Sequence, residues 1–335
     1  MAIAPQISSD DPPHRAEPGA LRIEQLNESS RACLERFESR NARDVRLWTL
    51  SDEPTPRGTR LVARDACGSI VASGQLQRAD HLGNADGERL IHVVVEPAVR
   101  GRGVGRAMLE RLEALSREAG VTRLLSILYA DQPDGLRFAE KHGYTEYDRR
   151  SRWFLELARF PAARFGDRAE LARHTGTEIR SLASLLQDGR LDDMLAGQIA
   201  DAHFALIAEM RTVLPVRQPV ADYRRAFLET SQVVHEASFV ALRGRSLAAL
   251  TIVVRVDPTL AFVAISGAVG PGRGRKLTLP LKVHAIEALR SLGFARLGSL
   301  YDADHAAGRV LNRALGFEAE PAMVRVHKRL ADRRA

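Results

Sequence analysis

Val95-Glu96-Pro97-Ala98-Val99-Arg100-Gly101-Arg102-Gly103-Val104-Gly105 is the stretch on which the reading of this chain turns. Before it, Leu90 to Val95 is a β-branched, apolar run that reads as a buried strand. After it, Val104 to Ala119 repeats its apolar positions at helical spacing, and Gly120 stops the helix. A Gly-rich turn between a strand and a helix start is an anion cradle. Glycines let the backbone approach a phosphate without a Cβ clash, and the first N–H groups of the helix point outward. Arg100, Arg102 and Arg106 add charge-assisted hydrogen bonds to such a site. Other phosphate motifs fit less well. A Walker loop needs GxxxxGK followed by Ser or Thr, and the dinucleotide fingerprint needs GxGxxG, whereas here the glycines fall at 101, 103 and 105.

The same stretch anchors an internal repeat. A shift of 173 residues lays Val95–Tyr144 on Ala268–Phe317 without a gap. Arg100-Gly101-Arg102 falls on Arg273-Gly274-Arg275, Arg117 on Arg290, Gly120 on Gly293, and Gly143 on Gly316. The repeat is too long for a solenoid unit and implies two copies of a whole domain. In the first copy the expected order is a strand at 21–26, a helix at 29–40 and a hairpin of 60–64 with 69–76. The cradle strand and helix follow, then a strand at 124–129, a helix at 134–141 and a closing strand at 152–157. The second copy is expected as a strand at 176–182, helices at 196–213 and 220–229 and a hairpin of 238–243 with 246–254. A strand at 261–269, a helix at 277–292, a strand at 296–301 and a helix at 306–314 complete it.

Composition narrows the function classes. The 335 residues favour two domains, and 45% apolar residues suffice for ordinary cores. Forty-nine basic against 42 acidic residues give a net charge of +7. Both signs are mixed along the chain rather than gathered into a stripe, which argues against nucleic acid as a partner. Cys33 and Cys67 form no CxxC pair and suggest no disulfide framework. The apolar run Leu247 to Val254 is too short to cross a bilayer, so no membrane role is expected. Residues 1–19 carry four prolines and no signal-peptide core and read as a flexible leader, which makes a cytoplasmic protein the expectation.

The loop Arg100-Gly101-Arg102-Gly103-Val104-Gly105 satisfies the pyrophosphate-binding signature of the GCN5-related N-acetyltransferase (GNAT) family. Arg137-Phe138-Ala139-Glu140-Lys141-His142-Gly143-Tyr144 resembles that family's later helix and its Gly-aromatic ending. With both copies counted the resemblance covers nearly the whole chain, and the layout is similar to bacterial two-domain GNAT proteins, the mycothiol synthase type among them. It implies an α/β fold of two tandem GNAT domains, each a mixed, mostly antiparallel sheet flanked by helices. The boundaries are a leader at 1–19, an N-terminal domain at 20–159 with the intact loop, a linker at 160–173 and a C-terminal domain at 174–331. The resemblance further implies acetyl-CoA held between splayed strands, with backbone amides of the 100–105 loop on its pyrophosphate. Backbone N–H groups of Val93, Val94 and Val95 would then orient the thioester and stabilise its oxyanion. The reaction implied is direct attack by a substrate amine.

Two departures bear on mechanism. Lys276 and Thr278 stand where the first copy has Gly103 and Gly105, so the second cradle is degenerate. The family's usual general acid, a tyrosine of the later helix, is Ala139 in the first copy and Asn312 in the second. Tyr129, which ends the strand opposite the cofactor strand, is a candidate to protonate the thiolate, a task that water can also serve. A neutral attacking amine calls for a base, and His92 and Glu88 on the cofactor strand are candidates, with Glu96 a third. Each of these also fits a plain packing or surface role. Asp302-Ala303-Asp304-His305 has the look of a metal motif without partners at ligand spacing, and reads as a turn that starts a helix; no metal is expected. The resulting expectation is an acetyl-CoA-dependent N-acetyltransferase for a small-molecule amine. A non-catalytic acyl-CoA-binding protein, or a mycothiol-synthase-like or peptide N-terminal acyltransferase, stays open beside it, as do acceptor identity and oligomeric state.

Overall fold

The computed structural model describes residues 22–27, 30–41, 58–77, 87–166, 176–209, 219–272, 276–302 and 304–330. The expected leader, part of the linker, the end of the 196–213 helix and Arg273-Gly274-Arg275 lie outside the described residues. The chain forms two compact units. One comprises 1–43, 59–76 and 92–115; the other comprises 44–58, 77–91 and 116–335.

In the first unit, β1 (Arg22–Gln25) pairs antiparallel with β2 (Thr59–Arg64), after α1 (Arg31–Asn41) has intervened. β2 turns into β3 (Ile70–Gln77) through the expected hairpin, where Asp65 Oδ1 accepts from the N–H groups of Cys67 and Ser69. β4 (Glu88–Val95) enters this unit from His92 onward, and the Glu96 N–H donates to Val71 O at 2.9 Å. α2 (Val104–Glu118) follows the Gly-rich turn. The two faces of this small sheet are covered by different helices. On one, Leu34 and Phe37 of α1 pack with Val62 and Val94. On the other, α2 lies so close that a Cβ on Gly74 would fall 2.7 Å from Met108 Sδ and 2.8 Å from Leu112 Cδ1. The buried positions Val104, Met108 and Leu112 share one helical stripe. Each such side chain contributes about 1.5–3 kcal/mol when fully buried.

In the second unit, the first residues of β4 run parallel to β5 (Arg123–Tyr129). That register covers Glu88↔Arg123, Arg89↔Leu124 and Leu90↔Leu125 and goes no further. α3 (Pro133–Lys141) leads to β6 (Thr145–Glu156), which starts seven residues before the expected closing strand. β7 (Glu178–Ser181) is capped into α4 (Leu182–Gln187), a short helix the sequence reading missed, by Ser181 Oγ accepting from the Ser184 N–H. α5 (Asp193–Ala208) starts at an Asp192 cap, and α6 (Val220–Tyr223) continues as a π-helical turn over Arg224–Leu228. The hairpin of β8 (Phe239–Arg243) and β9 (Ser246–Arg255) leads to β10 (Leu260–Ala268), then α7 (Thr278–Ser291), β11 (Arg296–Asp302) and α8 (Ala306–Ala314).

The chain closes with β12 (Glu318–Arg329), a twelve-residue strand that the sequence reading did not foresee. Its pairing is the feature that organises this unit. β12 runs antiparallel to β5 on one side and to β6 on the other, and β6 runs antiparallel to β11. The last strand of each copy therefore completes the sheet of the other. Residues related by the 173-residue repeat exchange places across the β6–β12 seam: Thr145 faces His327 and Phe154 faces Glu318. Arg150 faces Met323, its own equivalent, so the pseudo-two-fold axis passes through that pair. Strand alternation then builds two cores. Phe154, Ile252, Val254 and Phe262 pack with α4 and α5, while Trp153, Leu155, Val253 and Val263 pack with Val283, Ile286 and Leu289 of α7.

Candidate functional site

The 100–105 loop is shaped by two glycines in the left-handed region, Gly101 at φ 77° and Gly103 at φ 84°. A Cβ at either would meet no heavy atom within 4 Å, so the turn opens onto free space rather than onto packed neighbours. Residues 100–103 are exposed, and helix α2 begins at Val104, which is buried and anchors it. Gly103 O accepts from the Ala107 N–H at 3.0 Å and so starts the helical ladder. The N–H groups of the first turn have no intrahelical acceptor and face the turn. Arg100 behaves differently from expectation: its Nε donates to Val95 O at 3.0 Å and ties the loop to the end of β4. Arg106 is exposed beside Glu110, 3.7 Å away.

His92 stands two residues before Val94, on the strand face that α1 covers. Its Nε2 is buried without a hydrogen-bond partner among the described residues, and burial holds its pKa below the usual imidazole value. That face carries a carboxylate the sequence did not announce. Glu38 of α1 accepts from Ser73 Oγ at 3.2 Å, and burial, only partly offset by Arg60, raises its pKa. Glu88 is engaged elsewhere. It opens β4 and takes Arg123 Nη1 at 2.9 Å on its own carboxylate, at the paired end of β4 and β5. Tyr129 ends β5, buried, with the Arg152 guanidinium 4.6 Å above its ring. Glu96 is half-buried at the turn, where its carbonyl accepts from the Val99 N–H. The structure thus brings His92 and Val93–Val95 together on the strand that leads into the loop.

In the second copy, β10 and β11 run parallel over Leu260↔Arg296 to Phe262↔Gly298 and then part. Lys276, the counterpart of Gly103, keeps the left-handed conformation at φ 54°, the one non-glycine residue to do so among the described residues. His305 caps α8 by accepting from the Gly308 N–H at 2.8 Å on Nδ1, and Asp302 pairs with Arg150, so this segment is the helix-starting turn. No group of three His, Cys, Asp or Glu residues among the described ones could hold a metal ion. No helix among them is long and apolar enough to cross a membrane.

Sequence and structure comparisons bear on both halves. The profile of the acetyltransferase (GNAT) family matches residues 23–144. A mycothiol acetyltransferase of Geodermatophilus obscurus is 35% identical over 105 residues, a match spanning 31% of this chain and 30% of that protein. A GCN5-related N-acetyltransferase of Sphaerobacter thermophilus superposes with a TM-score of 0.68, at 15% identity, over 92% of this chain and 95% of that one. A tandem GNAT protein of the clavulanic acid biosynthesis pathway does so with a TM-score of 0.66, at 18% identity, over 92% and 98%. At those identities the two superpositions speak for the fold, and the profile speaks for the segment that holds the loop. Residues 23–144 therefore match the GNAT acetyltransferase family, and the chain has the tandem GNAT fold.

Proposed function

We propose that this protein is an N-acetyltransferase that moves an acetyl group from acetyl-CoA to a primary amine of a small molecule. The two copies are taken as domains at 20–159 and 174–331, and the first supplies the main acetyl-CoA site. The observation that carries this reading is the 100–105 turn, exposed over residues 100–103, left-handed at Gly101 and Gly103, and open where side chains would stand at those two glycines. Backbone amides of residues 101–105 would take the pyrophosphate, with Arg102 and Arg106 adding charge. Backbone N–H groups of Val93–Val95 would hold the thioester oxygen as it becomes an oxyanion.

The amine must lose its proton before it attacks. His92 suits that task, because burial keeps its imidazole neutral and able to accept a proton at neutral pH. Glu88 is less well placed, since its carboxylate is committed to Arg123. Tyr129 remains the first copy's candidate for protonating the departing thiolate, with Arg152 beside its ring. Ala139 in place of the usual helix tyrosine favours a second reading, a protein that binds acyl-CoA without turnover. Calorimetric titration with acetyl-CoA, for the wild type and for Gly103→Glu, tests the site. The expected result is one site fewer per chain in the variant; an unchanged stoichiometry and affinity would remove the first copy from the reaction. Turnover over a panel of amines then separates enzyme from binding protein.

A further inference from the structure

The strands around the β6–β12 seam carry one charge arrangement twice, and the two versions differ. In one, the Glu320 carboxylate lies 3.3 Å from Arg152 and 3.0 Å from Arg296, and Glu156 lies 2.6 Å from Arg296. Two guanidiniums and two carboxylates close that set. The 173-residue repeat carries Arg152 onto Arg325, Arg296 onto Arg123, Glu320 onto Tyr147 and Glu156 onto Arg329. Both guanidiniums are kept, and a neutral phenol stands where the bridging carboxylate stood. The fold therefore accepts a carboxylate between these two arginines, and the second version omits it.

The substitutes on the page fill the gap only in part. Arg123 Nη1 donates to Glu88 at 2.9 Å, from the strand position that Leu260 holds beside Arg296. Arg325 is 8% exposed, and its Nη1 reaches Asp148 Oδ2 at 3.4 Å. Arg150 Nε already holds that oxygen at 2.6 Å. Burial, and then the charge of Arg150, keep the Arg325 guanidinium below its ordinary pKa. Arg325 Nε, Arg123 Nε and His327 Nδ1 are buried without a hydrogen-bond partner among the described residues. These groups surround one ring. His327 meets Tyr147 edge-on at 5.4 Å, and Arg123 Cζ stands 5.4 Å from the Tyr147 ring centroid. Arg325 faces Asp148 while Val326 faces Glu146, so Tyr147 is the extra residue of a bulge that aims its side chain here. Tyr147, His327 and Arg123 are half-buried, which leaves the set reachable from solvent.

We propose that Arg325, Arg123 and Tyr147 form a carboxylate-binding site that holds the acid end of the acyl acceptor. The incoming carboxylate takes the place that Glu320 fills in the related set, with a guanidinium on each side and the phenol as a third donor. Arg325 pairs with Ile127, and Tyr129 follows two residues along β5, about 7 Å away. An amine anchored here by its acid group has its nitrogen within reach of Tyr129. The acceptor is thus a primary amine that bears a carboxylate several bonds away. This assignment rests on the acetyltransferase reading above; the site itself does not.

The test titrates the protein, free of acetyl-CoA, with γ-aminobutyrate and ε-aminocaproate, each against the amino alcohol of equal chain length. The better acid should bind about tenfold or more tightly than its alcohol in calorimetry, as hydrogen bonds between charged groups predict. Tyr147→Glu supplies the carboxylate from within, as Glu320 does in the related set. It should abolish the preference and melt higher than the wild type, which shows it folded. Tyr147→Phe keeps both guanidiniums open and should retain a preference for the acid. Equal affinity for acid and alcohol, or a preference that survives Tyr147→Glu, would overturn the site. With acetyl-CoA added, kcat/KM for the acid should exceed that for the alcohol by about tenfold or more. Equal rates would overturn the acceptor role. Acid-selective binding by a protein that fails to bind acetyl-CoA would sink the acetyltransferase reading and leave the carboxylate site standing.

Discussion

Arg150→Met is the substitution whose consequence the structure defines most closely. Arg150 is 4% exposed and sits where the repeat axis crosses the β6–β12 seam. Its Nε is 2.6 Å from Asp148 Oδ2 and its Nη1 is 2.6 Å from Asp302 Oδ1. Arg325 approaches Asp148 at 3.4 Å and cannot take over the vacated contact with Asp302 through that pairing. Methionine matches the stem of the arginine, so the loss is almost purely electrostatic. It leaves two largely buried carboxylates short of a cation, and breaking a buried pair in this way costs about 3–5 kcal/mol. Urea unfolding followed by circular dichroism should show the midpoint falling with little change in slope. The control is Arg150→Met combined with Asp302→Asn, which removes the carboxylate left without a cation and keeps Asp148 paired with the buried Arg325. It should recover most of the loss, because apolar or neutral replacements of whole buried ion groups are often close to neutral. A single variant within about 1 kcal/mol of wild type, or a double variant no better than the single, would refute the reasoning.

Two further outcomes follow from local chemistry. Burial pushes His203 down to about 4, with its Nδ1 2.7 Å from the Tyr223 hydroxyl. The unfolded chain therefore binds a proton that the folded one refuses between pH 6.5 and about 4, so stability is full above that window and falls through it as the pH drops. The loss is about 3 kcal/mol from this residue, and His203→Gln should flatten the acid limb of a stability–pH curve by that amount. Lys276→Gly removes a side chain from a left-handed position and should raise stability by about 1 kcal/mol in thermal or urea unfolding.

The local elements were largely legible because each is written in a short stretch of chain. The Gly-rich turn, the β2–β3 hairpin around Gly68 and the α2 stripe depend on neighbours within a few residues, and propensity and periodicity reach that far. β12 was missed for a different reason. Glu318-Ala319-Glu320-Pro321-Ala322 opens it with charges and a proline, which read as a loop. The strand survives because that irregular end coincides with a register shift between Glu320 and Met323, while Val324 and Val326 pair with β5 on one side and β6 on the other. Both partners belong to the other copy's stretch of sequence, so no window around residue 320 contains them. The early residues of β6 were lost in the same way, since Thr145–Ser151 is polar and finds charge partners on strands distant in sequence, Arg150 with Asp302 of β11 and Asp148 with Arg325 of β12.

The site divides along the same line. The loop could be read because glycines at a turn announce a backbone conformation, and Gly101 and Gly103 adopt it. Lys282 could not be read, because a lysine in a helix is ordinarily a surface residue and nothing in α7 marks it as buried. The repeat held the one available signal. Lysine, tyrosine and asparagine replace leucine, leucine and alanine at three positions scattered over 31 residues, Lys282 to Asn312. Three apolar-to-polar changes that converge on one point in space are hard to reconcile with drift of a surface, since each alone would bury an unsatisfied group. Hydrogen-bonded together, Lys282, Tyr301 and Asn312 satisfy one another except at Asn312 Nδ2, which is buried without a hydrogen-bond partner among the described residues.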